Sequence, residues 1–129
     1  MKPRSAEFLD AAQGRLRAAR VVIDEEPSTA LSAAYYAMLY AARAALSEHD
    51  VYAKTHRGTW HELRRLYVEN GELSPDLASS VQKIQPEREQ ADYDAWTAPT
   101  DEAQQAIKLA NAFVKAIENL LANDKSHDW

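Results

Sequence analysis

A chain of 129 residues with no cysteine and a formal net charge of −5 fits one domain around a single core, and it excludes a disulfide framework, thiolate chemistry and a cysteine-based zinc site. The acidic balance argues against general phosphate-backbone binding, which draws on many Lys and Arg side chains, while a local RNA site stays compatible with it. No apolar run approaches the roughly 20 residues of a membrane span, and Met1-Lys2-Pro3-Arg4-Ser5 lacks the apolar segment of a signal peptide, so the expectation is a cytoplasmic protein with no membrane partner.

Alanine, leucine, glutamate and arginine dominate, glycine is scarce, and no strand-like alternation persists, so the chain reads as all-α. A first helix is expected over about 5–25, with Leu9, Ala12, Leu16, Ala19 and Ile23 on one stripe, before Pro27 interrupts it. The second, about 28–48, is alanine-rich and turns Leu31, Ala34, Met38, Ala41 and Ala45 inward. The third opens at Thr55 or His56, buries Trp60, Leu63 and Tyr67, and stops at Asn70-Gly71 in the left-handed manner. The fourth has Ser74 as N-cap and Pro75 at its first position, with Leu77, Val81 and Ile84 inward and a kink or restart at Pro86. The fifth opens at Thr100 with Asp101 and Glu102 complementing the helix N-terminus, and carries Ile107, Ala110, Val114, Ile117 and Leu121 inward. One domain therefore spans 1–129, with a core over about 5–122 and a loose tail at 123–129.

Short connections favour antiparallel neighbours, giving an up-and-down bundle of four to five helices. That threading brings the end of the second helix, the start of the third and the end of the fourth to the same end of the bundle. Arg43, Lys54, His56, Arg88, Asp92 and Tyr93 would converge there.

Arg88 falls on the stripe of Val81 and Ile84 if the helix continues through Pro86, and a buried guanidinium costs several kcal/mol unless it is paired. Asp92, at i+4, is the partner in reach. The residues leave two readings open: a structural ion pair closing the bundle, or an arginine set for a phosphate or the 2′-oxygen of RNA, oriented by Asp92 and flanked by the Tyr93 ring. Tyr36, Tyr40 and Arg43 follow i, i+4, i+7 and share a face, which suits core packing or a dimer interface. His56 stands at a helix N-terminus, where a neutral imidazole with an available lone pair suits a base, and where a Thr55 or His56 side chain equally suits a cap. His56 and His61 lie too far apart around a helix to share a metal ion, and phosphate-binding glycine loops and serine nucleophile elbows are absent, so neither a metal nor a cofactor is expected.

Three segments in order, Ser32-Ala33-Ala34-Tyr35-Tyr36-Ala37-Met38, Lys54-Thr55-His56-Arg57-Gly58 and Arg88-Glu89-Gln90-Ala91-Asp92-Tyr93, resemble the HEPN superfamily, more narrowly its small stand-alone prokaryotic branch. The resemblance runs over nearly the whole chain. It implies a helical bundle that forms a homodimer, often encoded beside a minimal nucleotidyltransferase in toxin–antitoxin pairs, and in many members a metal-independent endoribonuclease. The family's catalytic arginine is followed, after four to six residues, by a histidine. Arg88 matches the arginine, but Tyr93, Asp94 and Ala95 occupy the three positions open to the histidine.

Cleavage through the 2′-oxygen needs a base and a cation at the developing phosphorane charge. Arg88 can supply the cation, and His56 is the one good acid–base group of the cluster. The expectation is therefore an RNA- or nucleotide-binding module in a toxin–antitoxin or defence setting, with an endoribonuclease using His56 and Arg88 as the alternative. Lys54, Arg43, Asp92 and Tyr93 position the ligand in either case, and Tyr36 and Tyr40 form the interface. The shared site requires the His56 ring and the Arg88 guanidinium to lie within about 12 Å of each other, since catalytic contacts are direct or bridged by one water.

Overall fold

Prolines set three of the helix starts. In the computed structural model, which describes residues 1–84, 88 and 97–122, Pro3, Pro27 and Pro75 each stand in the first turn of a helix, where the missing N–H costs nothing. The helices are α1 (Pro3–Val22), α2 (Pro27–Ser47), α3 (His56–Leu63), α4 (Pro75–Ser79) and α5 (Thr100–Ala122). A π-helical turn, Arg64–Val68, extends α3, and helical geometry resumes over 81–84. The described residues contain no strand, so the protein is an all-α bundle as its composition predicts.

The core follows from α2. Ala30, Ala34, Ala37, Ala41, Ala44 and Ala45 are all at 0% exposure, and such small side chains let helices approach from several directions at once. Both α1 and α5 pack on α2, and they also meet each other in antiparallel sense: Gln13 Nε2 donates to Glu118 Oε1 at 2.6 Å, while Arg20, two turns on, donates to Asn111 Oδ1 at 2.9 Å. The expected stripes are the buried ones, with Leu9, Ala12, Leu16 and Ala19 from α1 and Ala110, Val114, Ile117 and Leu121 from α5; Ile23 and Ile107 are half-buried at the margins.

The α1 N-terminus is capped from outside the helix. Glu48 Oε2 accepts from the Lys2 backbone N–H at 2.8 Å and from Ser5 Oγ at 2.6 Å, satisfying a donor that no local side chain reaches. Lys2 Nζ then meets Asp50 Oδ2 at 2.7 Å, a hydrogen bond that raises the ammonium's pKa above its ordinary 10.5. Asp50 in turn ends α2. Its φ of 57° occupies the left-handed position, with Val51 N–H donating to the Leu46 carbonyl and Asp50 N–H to that of Ser47, a Schellman arrangement in which Asp stands where glycine is usual.

The expectation of antiparallel neighbours fails for α3. The chain between Ser47 and His56 turns back along α2, so that α3 runs beside it in the same sense: His56 meets Tyr35, and farther on the Tyr67 hydroxyl donates to the Ala45 carbonyl at 2.7 Å. The cause is the left-handed turn at Asp50 followed by five residues, 51–55, too irregular to register as an element, a feature that reading by helix periodicity cannot detect. Gly71, at φ +81°, ends this segment as expected, and Ser74 Oγ caps α4 by accepting from Leu77 N–H at 3.3 Å. The fourth helix breaks at Ser80, whose hydroxyl donates to the Leu77 carbonyl at 2.6 Å, before Val81 and Ile84 resume the buried stripe. The kink at Pro86 and the tail over 123–129 lie outside the described residues. No helix among the described residues is long and apolar enough to cross a membrane.

Candidate functional site

The segment Lys54-Thr55-His56-Arg57-Gly58 resolves into a cap and a presented side chain. Thr55 Oγ1 accepts from Gly58 N–H at 2.9 Å, so threonine, not histidine, caps α3, and the His56 ring is directed elsewhere. Gly58 makes this geometry possible, because a Cβ at that position would stand 2.8 Å from the same Oγ1. His56 instead brings Nδ1 to 3.0 Å from the hydroxyl of Tyr35, whose side chain is fully buried.

Around that contact the aromatic residues of α2 and α3 form one cluster. The His56 ring lies 5.6 Å from the Tyr35 ring and 5.9 Å from that of Tyr36, edge-on to the latter, and Trp60 joins Tyr35 to Phe113 of α5. The Arg88 guanidinium sits over this cluster, 4.7 Å from the Tyr35 centroid and 5.7 Å from that of Tyr36, with the residue only 7% exposed. Each such cation–ring contact stabilises a desolvated guanidinium by about 0.5–2 kcal/mol, and because the two rings stand at 84° to each other they hold the cation from two sides. The legs from Arg88 to Tyr35 and from Tyr35 to His56, laid end to end, fall short of the 12 Å limit set by the shared-site expectation, so the two side chains lie close enough to act on one ligand.

The position of this site differs from the sequence expectation. It lies on the flank of α2, twelve residues or about 18 Å of helix before Ser47, not at the bundle end. The fold-back of the connection into α3 carries His56 there. Arg43 and Lys54 do not join it; they line an adjacent groove of about 320 Å³ with Arg4, Phe8 and Tyr52. Asp92 and Tyr93 lie outside the described residues. His49 packs edge-on against Tyr67 at 5.3 Å, beyond the end of α2.

Tyr36 and Tyr40 are half-buried, and the residue that covers them escaped the sequence reading. Arg15 of α1 places its guanidinium 5.6 Å and 5.5 Å from the two ring centroids, while Phe8 stacks on Tyr40 at 6.4 Å. Arg4, Phe8 and Arg15, at i, i+4 and i+11, fall on one face of α1 beside the apolar stripe, and that spacing was the available signal. Tyr35 was missed for a related reason: a helix of alanines and tyrosines does not say which tyrosine points inward.

The cluster can hold an anion against Arg88 and can orient an imidazole. For His56 to accept a proton at Nε2, its Nδ1 must carry the hydrogen and donate it to the Tyr35 oxygen; in the other tautomer the Tyr35 hydroxyl donates and Nε2 is itself a donor. Both tautomers satisfy the contact, so the site supports binding without presupposing catalysis.

Comparison with known proteins bears on the family of the chain. A UPF0332 protein of Archaeoglobus fulgidus is 35% identical over 95 residues, covering 73% of this chain and 75% of the relative. Another, from Gloeobacter violaceus, is 40% identical over 60 residues, 46% of this chain, and the chain spans only about half of that relative's length (48%). The model of the HEPN domain matches residues 5–120, a span that runs from the capped start of α1 almost to the end of α5 and includes every element that builds the Tyr35–His56–Arg88 cluster; the chain belongs to the HEPN family.

Proposed function

We propose that the protein is a dimeric HEPN module that binds RNA or a nucleotide through the Tyr35–His56–Arg88 cluster, in a toxin–antitoxin or defence pair whose second member is a minimal nucleotidyltransferase. The observation that carries the reading is a guanidinium held over two tyrosine rings beside an imidazole fixed by a tyrosine hydroxyl. A planar cation, aromatic faces and a hydrogen-bonding ring are the groups that recognise a phosphate carrying a base. Absence of histidine from positions 93–95 favours binding over cleavage. The half-buried Tyr36 and Tyr40, with Arg15 across them, are the proposed contact between subunits, which needs at least about 1,000 Å² in total to be stable.

One observation favours the endoribonuclease as a second reading. The 3.0 Å contact from Tyr35 to His56 orients the imidazole as a third group orients the base of a catalytic pair, with Arg88 near enough to stabilise charge.

Incubating the purified protein, free of partner, with single-stranded RNA in excess chelator separates the two. The binding reading expects no cleavage over hours and measurable RNA or nucleotide binding that Arg88→Ala abolishes in a variant shown to fold. Cleavage with 2′,3′-cyclic phosphate ends, slowed roughly 10²–10⁴-fold by His56→Ala, establishes the enzyme instead. Sedimentation as a monomer at tens of micromolar overturns the dimer.

A further inference from the structure

The groove beside the cluster carries chemistry of its own. Arg4, Arg43 and Lys54 bring three cations to a space of about 320 Å³ in which no carboxylate is among the lining side chains, on a chain whose net charge is negative. Of the neighbouring acids, Asp50 is bonded to Lys2 and Glu48 Oε2 to Ser5 and the Lys2 backbone, while Glu48 Oε1 is buried with no hydrogen-bond partner among the described residues and is not part of the groove lining. By contrast, Arg65 outside the groove has Glu62 at 2.7 Å. Cations gathered without counter-charge repel one another, and an anion between them relieves that cost.

Two further observations specify the ligand. The Arg43 Nε is buried with no hydrogen-bond partner among the described residues, an orphaned donor at the groove wall. The Arg4 guanidinium lies over both the Phe8 and Tyr52 rings, 5.4 Å and 5.0 Å from their centroids, which holds the cation at the groove. Tyr52 is 59% exposed at the rim, with the Arg4 guanidinium near its ring and the rest of the ring open to a stacking base. The geometry points to a second phosphate subsite, in which Arg4, Arg43 and Lys54 hold the phosphate of a nucleotide and the base stacks on Tyr52. Lys54 stands two residues before His56, so the subsite adjoins the Tyr35–His56–Arg88 cluster; the inference rests on the phosphate-binding reading of that cluster only for the view that both take the same ligand. The ligand is a free mononucleotide or one unit of a single strand, and the two differ in length rather than in the chemistry recognised.

The test measures binding of the full chain to a fluorescently labelled oligouridylate across a salt series, with AMP and inorganic phosphate as competitors. Arg4→Gln, an exposed position, is expected to weaken binding and to lower the slope of log K against log salt by about 0.7, the contribution of one phosphate contact on a single strand. Tyr52→Ala is expected to weaken oligouridylate and AMP binding about ten-fold through lost stacking and to leave inorganic phosphate unaffected. AMP binding as tightly as the oligonucleotide assigns the groove to a free nucleotide, and preference for the oligonucleotide assigns it to a strand; each supports the subsite. Unchanged affinity and slope in Arg4→Gln and in Arg43→Gln, with binding lost in Arg88→Ala, overturn the subsite and leave the cluster standing. Binding that survives Arg88→Ala but falls with Arg4→Gln leaves the subsite and removes the cluster. Arg4→Gln or Tyr52→Ala that shifts sedimentation to monomer without changing affinity makes the groove a subunit contact and overturns the proposal, as does wild-type protein that binds none of the three probes.

Discussion

The buried seam where α2 meets α1 and α5 is mostly alanine, leucine, isoleucine and valine, with Met38 and Phe113, and its cationic and phenolic groups, Arg15 over Tyr36 and Tyr40, are confined to the half-buried margin; where α2 meets α3 and Arg88 the contacts are tyrosine, histidine, tryptophan and arginine, each with a polar group that needs a partner. Stability in the first region scales with buried area and is forgiving of detail, since each fully buried aliphatic side chain contributes roughly 1.5–3 kcal/mol wherever its neighbours come from. The second depends on particular pairs, worth about 1 kcal/mol per hydrogen bond or cation–ring contact, and contributes less to folding than to holding groups in register. A bundle that already folds through its alanine seam can carry such a cluster on its flank, and this division shows where the two regions should respond differently to substitution.

The largest effect is expected on the apolar side. Ile117→Ala, at a position with 0% exposure in α5, should lower unfolding free energy by about 2–5 kcal/mol in urea titration while nucleotide or RNA affinity of the folded fraction stays unchanged. Loss of binding in step with stability would join the two regions into one and break the comparison.

On the aromatic side the balance reverses. Tyr35→Phe keeps the ring beneath Arg88 and removes the hydroxyl that meets His56 Nδ1, so stability should fall by only about 1 kcal/mol. Affinity, or the pH profile of any cleavage, should change by more than that loss implies, because the imidazole then lacks the hydrogen-bond partner that holds its ring in place. A variant that matches wild type in both binding and pH profile would reduce the contact to packing.

The same division governs what was legible in the sequence. The stripes of Leu9, Leu16, Val114 and Ile117, the cap at Ser74 and the stop at Gly71 all follow from period and local chemistry, and they stand where expected. His56 and Arg88 lie near each other, as the shared-site expectation required, but on the flank of α2 and not at the bundle end where the sequence put them. The displaced site traces to the turn after α2, where Asp50 takes a left-handed φ that Asp adopts more readily than most residues but still too rarely for the sequence to announce it. Arg15 shares a face of α1 with Arg4 and Phe8, but its partner was not legible, because a cation on a helix reads as solvated surface until the ring it covers, here Tyr40 of α2, is known. Pairing of that kind is tertiary information, and periodicity within one helix does not contain it.

The smallest net effect is expected at Gly58, where two local terms oppose each other. Glycine in a helix costs up to about 1 kcal/mol relative to alanine, so Gly58→Ala should by propensity stabilise α3. The new Cβ, however, would stand 2.8 Å from Thr55 Oγ1, and the hydroxyl that caps the Gly58 N–H must swing away, which forfeits an N-cap worth about 0.5–2 kcal/mol. The single variant should therefore stay within about 1 kcal/mol of wild type. Removing the obstructing oxygen first changes the sign: in a Thr55→Ala background nothing is left to displace, and Gly58→Ala should then stabilise by close to the full propensity term. A double-mutant cycle read by thermal or urea unfolding measures the difference, and equal effects of Gly58→Ala in both backgrounds would disprove the coupling. Because His56 directly follows Thr55, the single variant should also disturb the His56 contact to Tyr35, so that ligand affinity drops where stability barely moves, which is the behaviour that separates this flank from the alanine seam.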